Sequence, residues 1–255
     1  MDSEPANSDA WTAYGAHHLA RGTDTPEVDR LAWGFWPTGP GTEILGNVSG
    51  HRVLDLCSGT GRYAAHLTRE HGALVDAVDA SATQHERART RYGRRPGLNL
   101  ILADAVEHLR TAEPYDVIYS IHGFAYIDPR RLLPAVAAAL CPGGRLVFSV
   151  LHTDSDGHGP SATVTARPET LPLAGGGRLT VRMWVLTSEL WEGLLAKHRL
   201  VVDRVVVLDA PEDDTPVSCR LFQVRHQTAG HQPHDHRGAG ITTRTACDTN
   251  GPPCP

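Results

Sequence analysis

The sequence predicts an α/β protein with a doubly wound, mostly parallel sheet that ends in an antiparallel edge hairpin at its C-terminal end. Between residues 51 and about 152, apolar strand-like segments alternate with helix-like segments, which indicates a parallel sheet covered on both faces. Two late segments, "LVVDRVVVLDA" and "VSCRLFQVRH", are joined by an acidic loop with no helix between them. That connection favours an antiparallel hairpin at the sheet edge.

Five apolar segments supply the predicted parallel strands, and each of the first four is followed by a predicted helix. The strands are "RVLDL", "ALVDAVD", "LNLILAD", "YDVIYSI" and "GRLVFSV". The helices are predicted at 62–70, at 82–93, over "AVEHLRT" and over "RRLLPAVAAAL". A further helix is predicted from about 188 to 198, with Thr187 as its N-cap.

The composition of the flanking segments predicts three regions. Residues 1–50 carry a short helix at roughly 9–20 and the Gly/Pro-rich stretch "LAWGFWPTGPG", and are expected to form a helical and aromatic cover. Residues 51–227 form the core, with an insertion at 153–187 that is irregular and Ser/Gly/Pro-rich over 153–180 and continues with the apolar segment "LTVRMWVL". Residues 228–255 contain almost no apolar side chains and are predicted to be a disordered tail.

Charge and cysteine usage exclude several classes of protein. A net charge of −5 over 255 residues argues against a nucleic-acid surface, which needs clustered cations. No apolar run reaches the ~18 residues that a membrane span requires. The five cysteines are scattered and form no CxxC pair, so neither a metal site nor a disulfide framework is expected. We expect a cytoplasmic monomer or homodimer that acts on a small molecule.

The stretch "VLDLCSGTGRYAAHL" at 53–67 predicts a ligand site. A buried strand ends in Asp55, a turn with Gly59 and Gly61 follows, and then a helix begins. Asp79 ends the second strand and Asp104 ends the third. Three carboxylates at strand ends, with no cation placed for phosphate, favour a nucleoside without phosphates. Each acid could instead be a helix cap or a solvated strand end.

A dinucleotide is the alternative ligand, because the turn reads G-x-G-x-x-A. An NAD(P)-dependent oxidoreductase therefore stays open. Asp55 argues against it, because a carboxylate is unfavourable beside a pyrophosphate. The chain also lacks a Tyr-x-x-x-Lys pair, since its single lysine, Lys197, is preceded four residues earlier by Gly193.

Taken together, the motifs resemble those of the class I S-adenosylmethionine-dependent methyltransferases, in particular bacterial small-molecule and ubiquinone-type enzymes. "VLDLCSGTG" is similar to their first motif, with Cys57 where the first glycine usually stands. "VDAVDAS" is similar to the ribose-binding motif and "ADA" to the adenine-contacting one. "YDVIYSIHGFAYID" and "ALCPGGRLVFSV" resemble the motifs of the fourth and fifth strands. The resemblance implies a Rossmann-like fold.

The resemblance also implies a cofactor, S-adenosylmethionine, with S-adenosylhomocysteine as product. By the family pattern, Asp55 lies near the methionine amino group, Asp79 holds the ribose, and Asp104 with the backbone of Ala105 holds the adenine. The expected cofactor-binding residues are Asp55, Cys57, Gly59, Gly61, Asp79, Ala80, Asp104, Ala105 and Ile121.

The acceptor site is expected under an aromatic cover. Methyl transfer from a sulfonium is a direct displacement, so the protein mainly aligns the nucleophile and excludes water. The expected catalytic residues are His122, Tyr126 and Tyr14, and the expected substrate-binding residues are Trp33, Phe35, Trp36, Phe124, His152 and Trp184. Alternatively, many of these aromatic side chains attach the flanking segments to the sheet.

The sequence thus predicts a methyltransferase that acts on a specialised metabolite with an aromatic or apolar part. N- or C-methylation, for example of an amine or an indole, is favoured over O-methylation, because no metal cluster or paired bases for phenols are evident. Besides the oxidoreductase, a second alternative is an inactive interaction module that binds S-adenosylmethionine without turnover.

Overall fold

A computed structural model describes residues 3–212 and 215–227, so the predicted tail at 228–255 lies outside the described residues. The strands are β1 (Arg52–Leu56), β2 (Leu74–Asp79), β3 (Leu98–Leu102), β4 (Tyr115–Ile121), β5 (Leu140–Thr153), β6 (Arg167–Pro172), β7 (Arg178–Met183), β8 (Leu200–Asp209) and β9 (Ser218–His226). The helices are α1 (Ser3–Ala20), α2 (Arg62–His71), α3 (Ala82–Tyr92), α4 (Ala105–Thr111), α5 (Pro129–Ala139) and α6 (Ser188–Ala196). Short 3₁₀ turns cover Thr42–Leu45 and Phe124–Tyr126.

Seven strands form one sheet in the order β3-β2-β1-β4-β5-β9-β8. The first five pair in parallel, whereas β9 pairs antiparallel with both β5 and β8. The predicted fold class, with its antiparallel edge hairpin, is therefore confirmed. The strand order reverses between β1 and β4, and ligands of such sheets bind where the order reverses, at the carboxyl ends of the strands.

Two apolar layers cover the sheet, one on each face. On one face, Phe124 stacks on Phe148 with ring centroids 4.2 Å apart, and Phe148 stacks on Phe222 at 4.8 Å. Trp191 of α6 is fully buried against this stack. On the other face, a second cluster includes Trp33 and the inner side chains of β1 and α2. This burial fixes the strand ends that carry the predicted acids.

The structure differs from the sequence prediction in two segments. The segment predicted as an irregular insertion contains a separate two-stranded antiparallel sheet, β6–β7, closed by a turn in which Gly175 and Gly176 both have positive φ. The first helix begins at Ser3 rather than near residue 9. Among the described residues, no helix is long and apolar enough to cross a membrane.

Candidate active site

A cavity of about 900 Å³ opens at the carboxyl ends of β1, β2 and β4. Its volume lies near the upper end of the ~300–1,000 Å³ typical of small-molecule sites. The turns after these strands form its floor, and α1, the loop at 23–36 and the β6–β7 hairpin form its cover. The cavity therefore lies where the fold places a ligand.

The turn after β1 has unusual backbone geometry. Gly59 and Gly61 have φ values of 56° and 69°, a region that glycine adopts without a steric cost. Cys57 also has a positive φ of 61°, which is uncommon for a residue with a side chain. A Cβ on Gly123 would lie 2.3 Å from the Cβ of Cys57, so the turn after β4 needs glycine at that position.

Asp79 links the ends of β1 and β2. Its carboxylate accepts hydrogen bonds from the backbone N–H of Gly59 at 2.7 Å and of Ser81 at 2.8 Å. Burial raises the pKa of Asp79. Ser81, rather than Asp79, caps α3, since its Oγ accepts from the N–H of Gln84. Asp79 thus lies in the cavity wall as a fixed acceptor and is not used as a helix cap.

The other two strand-end acids differ in their partners. Asp55 is 3% exposed, and its Oδ2 has no hydrogen-bond partner among the described residues. Burial, reinforced by the charge of Asp79, raises the pKa of Asp55 to about 7. Asp104 caps α4, because its Oδ1 accepts from the N–H groups of Val106 and Glu107. Both acids line the cavity.

His122 follows β4 in a left-handed backbone conformation, with φ of 61°. Its ring stacks on Phe35 with centroids 4.4 Å apart and planes 7° from parallel. Both ring nitrogens are buried and lack a hydrogen-bond partner among the described residues. Burial lowers the pKa of His122 to about 4, so the imidazole is neutral at neutral pH.

An aromatic group of Trp11, Tyr14 and Tyr126 faces the same cavity. The Trp11 ring meets Tyr14 at 5.1 Å and Tyr126 at 5.4 Å between centroids, both edge-to-face. Such a group supplies a dry, polarisable surface for a small ligand. Burial raises the pKa of Tyr126, so its hydroxyl stays protonated.

Comparison with known proteins identifies the motif region. Residues 53–144 match the model of a family described as a methyltransferase domain. The chain is 29% identical over 141 residues to the methyltransferase GfsG of Streptomyces halstedii, covering 48% of this chain and 51% of GfsG. It is 30% identical over 190 residues to the O-methyltransferase cnsE of Penicillium expansum, covering 73% of this chain and 64% of cnsE.

Structural comparison gives the same answer for the fold. A crystal structure of a putative S-adenosylmethionine-dependent methyltransferase from Listeria monocytogenes superposes with a TM-score of 0.55 at 22% identity, covering 73% of this chain and 95% of that chain. Residues 53–144 thus carry a methyltransferase domain, the chain has the fold of S-adenosylmethionine-dependent methyltransferases, and it spans about half to two thirds of the length of the curated relatives it matches. The predicted family and the predicted cofactor are confirmed.

The residues of the cavity fit S-adenosylmethionine. Asp55 offers a buried carboxylate oxygen without a partner, which suits the amino group of the methionine part. A Cβ on Gly59 would meet only the Gln84 side chain, at 3.9 Å, so the turn leaves space for a ligand against its backbone. Arg62 and Arg87, at the cavity wall on α2 and α3, could receive the cofactor carboxylate.

Most predicted site residues of the methyltransferase line the cavity together. They are Tyr14, Phe35, Trp36, Asp55, Cys57, Gly59, Asp79, Ala80, Asp104, Ala105, Ile121, His122 and Tyr126. Gly61 does not face the cavity and instead packs near Leu100 and Ala88, which leave little room for a side chain. The roles assigned to these residues stay predictions.

Four of the predicted substrate-binding residues lie elsewhere. Trp33 is fully buried in the core, where its Nε1 donates to the carbonyl of Gly41 at 3.0 Å. Phe124 belongs to the aromatic stack under α6. Trp184 is 5% exposed in the same core. His152 contacts Thr153 beyond the cavity wall. Trp33 and Trp184 thus attach flanking segments to the sheet, which is the alternative that the sequence left open.

Sequence reasoning missed one whole face of α1. Asn7, Trp11, Tyr14 and His18 all line the cavity, and their spacing of four, three and four residues places them on one side of a helix. That spacing was the available signal. Of this set, only Tyr14 was among the expected catalytic or substrate-binding residues; Trp11 was expected in the aromatic cover, His18 was considered as a base, and Asn7 lies before the predicted start of the helix. The hairpin residues Leu171, Val181 and Met183 were also missed.

Proposed function

We propose that the protein transfers the methyl group of S-adenosylmethionine to a hydroxyl oxygen of a small, largely apolar metabolite. The observation that carries this proposal is His122, whose two buried ring nitrogens lack a partner at the cavity wall. A neutral imidazole accepts a hydrogen bond from a hydroxyl and receives its proton as the oxygen is methylated. The bound cofactor supplies an electrophilic methyl group on a sulfonium.

The aromatic group of Trp11, Tyr14 and Tyr126 supports a direct displacement in this cavity. The reaction removes positive charge from the sulfonium, so a dry wall favours it over a solvated one. Phe35 stacks on the imidazole and holds the ring plane, which directs the ring nitrogens. Positioning of the acceptor oxygen and exclusion of water are therefore the main tasks of the chain's own residues.

An oxygen acceptor is favoured over the amine or indole first expected from the sequence. The acids Glu4, Asp154 and Glu169, which line the cavity away from the β1 turn, each pair with an arginine, so an ammonium group finds no unpaired carboxylate among them. The relative cnsE is named an O-methyltransferase. Together these points support a neutral hydroxyl as the methyl acceptor.

A panel of hydroxyl, amine and indole acceptors tests the proposal. The full chain is incubated with S-adenosylmethionine, and products are identified by mass and by the position of the new methyl group. We expect methyl ethers. Methylation of nitrogen or carbon only, or S-adenosylhomocysteine binding without turnover on any acceptor, would contradict oxygen transfer.

Substitution of His122 tests its role. His122→Ala should lower kcat by about 100-fold, the usual contribution of a general base, while the Kd for S-adenosylhomocysteine stays within about twofold. His152→Ala is the matched control, because His152 does not line the cavity, and it should keep full activity. Equal activity of the two variants would remove His122 from the mechanism.

A further inference from the structure

The charged groups around the cavity are unevenly distributed. Two arginines, Arg62 and Arg87, line it on α2 and α3, near the β1 turn. The acids that line it are Glu4, Asp24, Asp55, Asp79, Asp104, Asp154 and Glu169. On the side formed by the hairpin and the end of β5, the charged groups that line the cavity within the described ranges are acids alone.

Glu169 lies in the hairpin wall. Its side chain is 11% exposed, and its Oε1 accepts from Nε of Arg167 at 2.6 Å. Side chains of a strand alternate between faces, so Glu169 and Leu171 share one face of β6. Leu171, Val181 and Met183 line the cavity with it. The wall therefore presents one carboxylate in an apolar surface.

Arg167, two residues before Glu169 on the same face of β6, does not line the cavity. Its Nη2 is 3.4 Å from Oδ2 of Asp154, whose side chain is 14% exposed and does line the cavity. One guanidinium thus contacts two carboxylates, and the His158 ring also contacts Oδ2 of Asp154, at 3.0 Å. The arginine fixes Glu169 in place through Oε1 and leaves its Oε2 without a contact to Arg167.

A second observation, independent of these acids, indicates that a ligand occupies the same cavity. His122 has two buried ring nitrogens that lack a hydrogen-bond partner in the part of the chain that the structure describes. A buried polar group is stable only when a hydrogen bond compensates for lost solvent. A ligand that fills the cavity supplies those hydrogen bonds.

We propose that Glu169 determines acceptor specificity, favouring uncharged acceptors with a second hydrogen-bond donor and excluding acceptors that carry a carboxylate or phosphate. The inference rests on the proposed function, because that function places the acceptor in this cavity. A donor on the acceptor reaches the carboxylate of Glu169 and forms a charge-assisted hydrogen bond. An anion there is desolvated beside two carboxylates, and the arginine next to them, Arg167, is already paired with both and does not line the cavity.

Three hydroxyaryl probes that differ in one substituent test this proposal. The full chain is saturated with S-adenosylhomocysteine, and the Kd values of 3-hydroxybenzamide, methyl 3-hydroxybenzoate and 3-hydroxybenzoate are measured by calorimetry or ligand-observed NMR. We expect the amide to bind tightest and the anion at least about tenfold more weakly, with the ester between them. Equal or tighter binding of the anion, or binding of none of the three, would overturn the proposal.

Two charge-removing variants assign the effect to Glu169. Glu169→Gln keeps a hydrogen-bond acceptor and removes the charge, so the gap between amide and anion should shrink to within about threefold. Glu192→Gln removes the same charge from an exposed position on α6 and should keep the full gap. An unchanged gap in folded Glu169→Gln, checked by its melting temperature, contradicts the proposal.

The outcome is separable from that of the proposed function. Preference for the uncharged probes without methyl transfer to any hydroxyl contradicts the proposed function and leaves the specificity inference standing. Methyl transfer with equal kcat/KM for the amide and the anion contradicts the specificity inference alone.

Discussion

At the scale of single residues, Asp55 shows how burial of a carboxyl group in the site changes the pH dependence of stability. Burial first, and then the charge of Asp79, raise the pKa of this carboxyl group to about 7. The folded protein therefore binds a proton that the unfolded chain releases at a much lower pH. The stabilising contribution of Asp55 is complete below about pH 4 and is lost as the pH rises through about 7.

Asp55→Asn removes this titration and should change the pH dependence of stability. The measured quantity is the free energy of unfolding of the ligand-free variant minus that of the native protein. This difference should be larger at pH 8 than at pH 5, by at least about 1 kcal/mol. Urea unfolding at the two pH values measures this difference. The pH-independent cost of the amide is the same at both pH values, so it cancels in this comparison. If the free energy of unfolding changed equally with pH in both proteins, the raised pKa of Asp55 would be contradicted.

Asp79 tests cofactor binding at the same scale. Asp79→Ala should weaken binding of S-adenosylhomocysteine by more than about tenfold, because the ribose hydroxyls lose their acceptor. Asp79→Asn keeps one acceptor oxygen and should lose less. Calorimetric titration measures both, with the melting temperature as a check on folding because Gly59 also donates to this carboxylate. Unchanged affinity in Asp79→Ala would remove Asp79 from the cofactor site.

The acids of the cavity were predictable because a parallel sheet brings its strand ends together, so Asp55, Asp79 and Asp104 needed only a correct strand assignment. The places of the aromatic residues were not predictable, because a tryptophan in a core and one in a pocket can stand in the same kind of local sequence. Trp33 satisfies its N–H with the carbonyl of Gly41, a contact that no local pattern reveals. Its neighbour Trp36 lines the cavity instead.

At the scale of elements, the buried side-chain amide of Asn7 binds α1 to two other elements of the cavity wall. Asn7 is 4% exposed; its Nδ2 donates to the carbonyls of Tyr126 and Arg182, and its Oδ1 accepts from the N–H of Arg182. The side chain thus joins α1 both to β7 and to the 3₁₀ turn that follows β4. These are three of the elements that line the cavity.

Asn7→Ala should destabilise the protein by about 1–3 kcal/mol, since three backbone groups lose their partner in a place with little water. Asn47→Ala is the matched control, because Asn47 is exposed and accepts only from the nearby Ser49 N–H. Urea unfolding of the two variants at neutral pH measures the difference. A loss no larger than that of the control would show that α1 is held by its apolar contacts alone.

The elements themselves were predictable to different degrees. β1 to β4 were found within two residues at each end, because each is an apolar run bounded by turns. The β6–β7 hairpin was missed, since Pro168 and Pro172 argue against a strand interior. In a two-stranded sheet both strands are edges, so a proline costs less there than in a central strand. The part of the cavity wall that this hairpin forms was therefore not predicted.

At the scale of the whole molecule, the strand order decides where the site lies and the flanking segments decide what it binds. The reversal between β1 and β4 opens a crevice that any chain with this sheet would have. Residues before β1 and after β5 then close it, through α1, the loop at 23–36 and the hairpin. The matched family region, 53–144, ends before the hairpin and begins after α1, so these parts of the cavity cover lie outside it.

Cofactor binding should therefore stabilise the whole fold, because the cavity joins the sheet to its cover. S-adenosylhomocysteine at about 100 times its Kd should add about 2.7 kcal/mol to the free energy of unfolding, whereas NAD at the same concentration should add nothing measurable. Thermal unfolding with each ligand measures this, and Asp79→Ala should lose most of the shift while Glu192→Gln keeps it. Stabilisation by NAD alone would mean that the strand-end acids hold a dinucleotide. The assignment of the acceptor end of the cavity, which depends on that of the cofactor, would then be wrong as well.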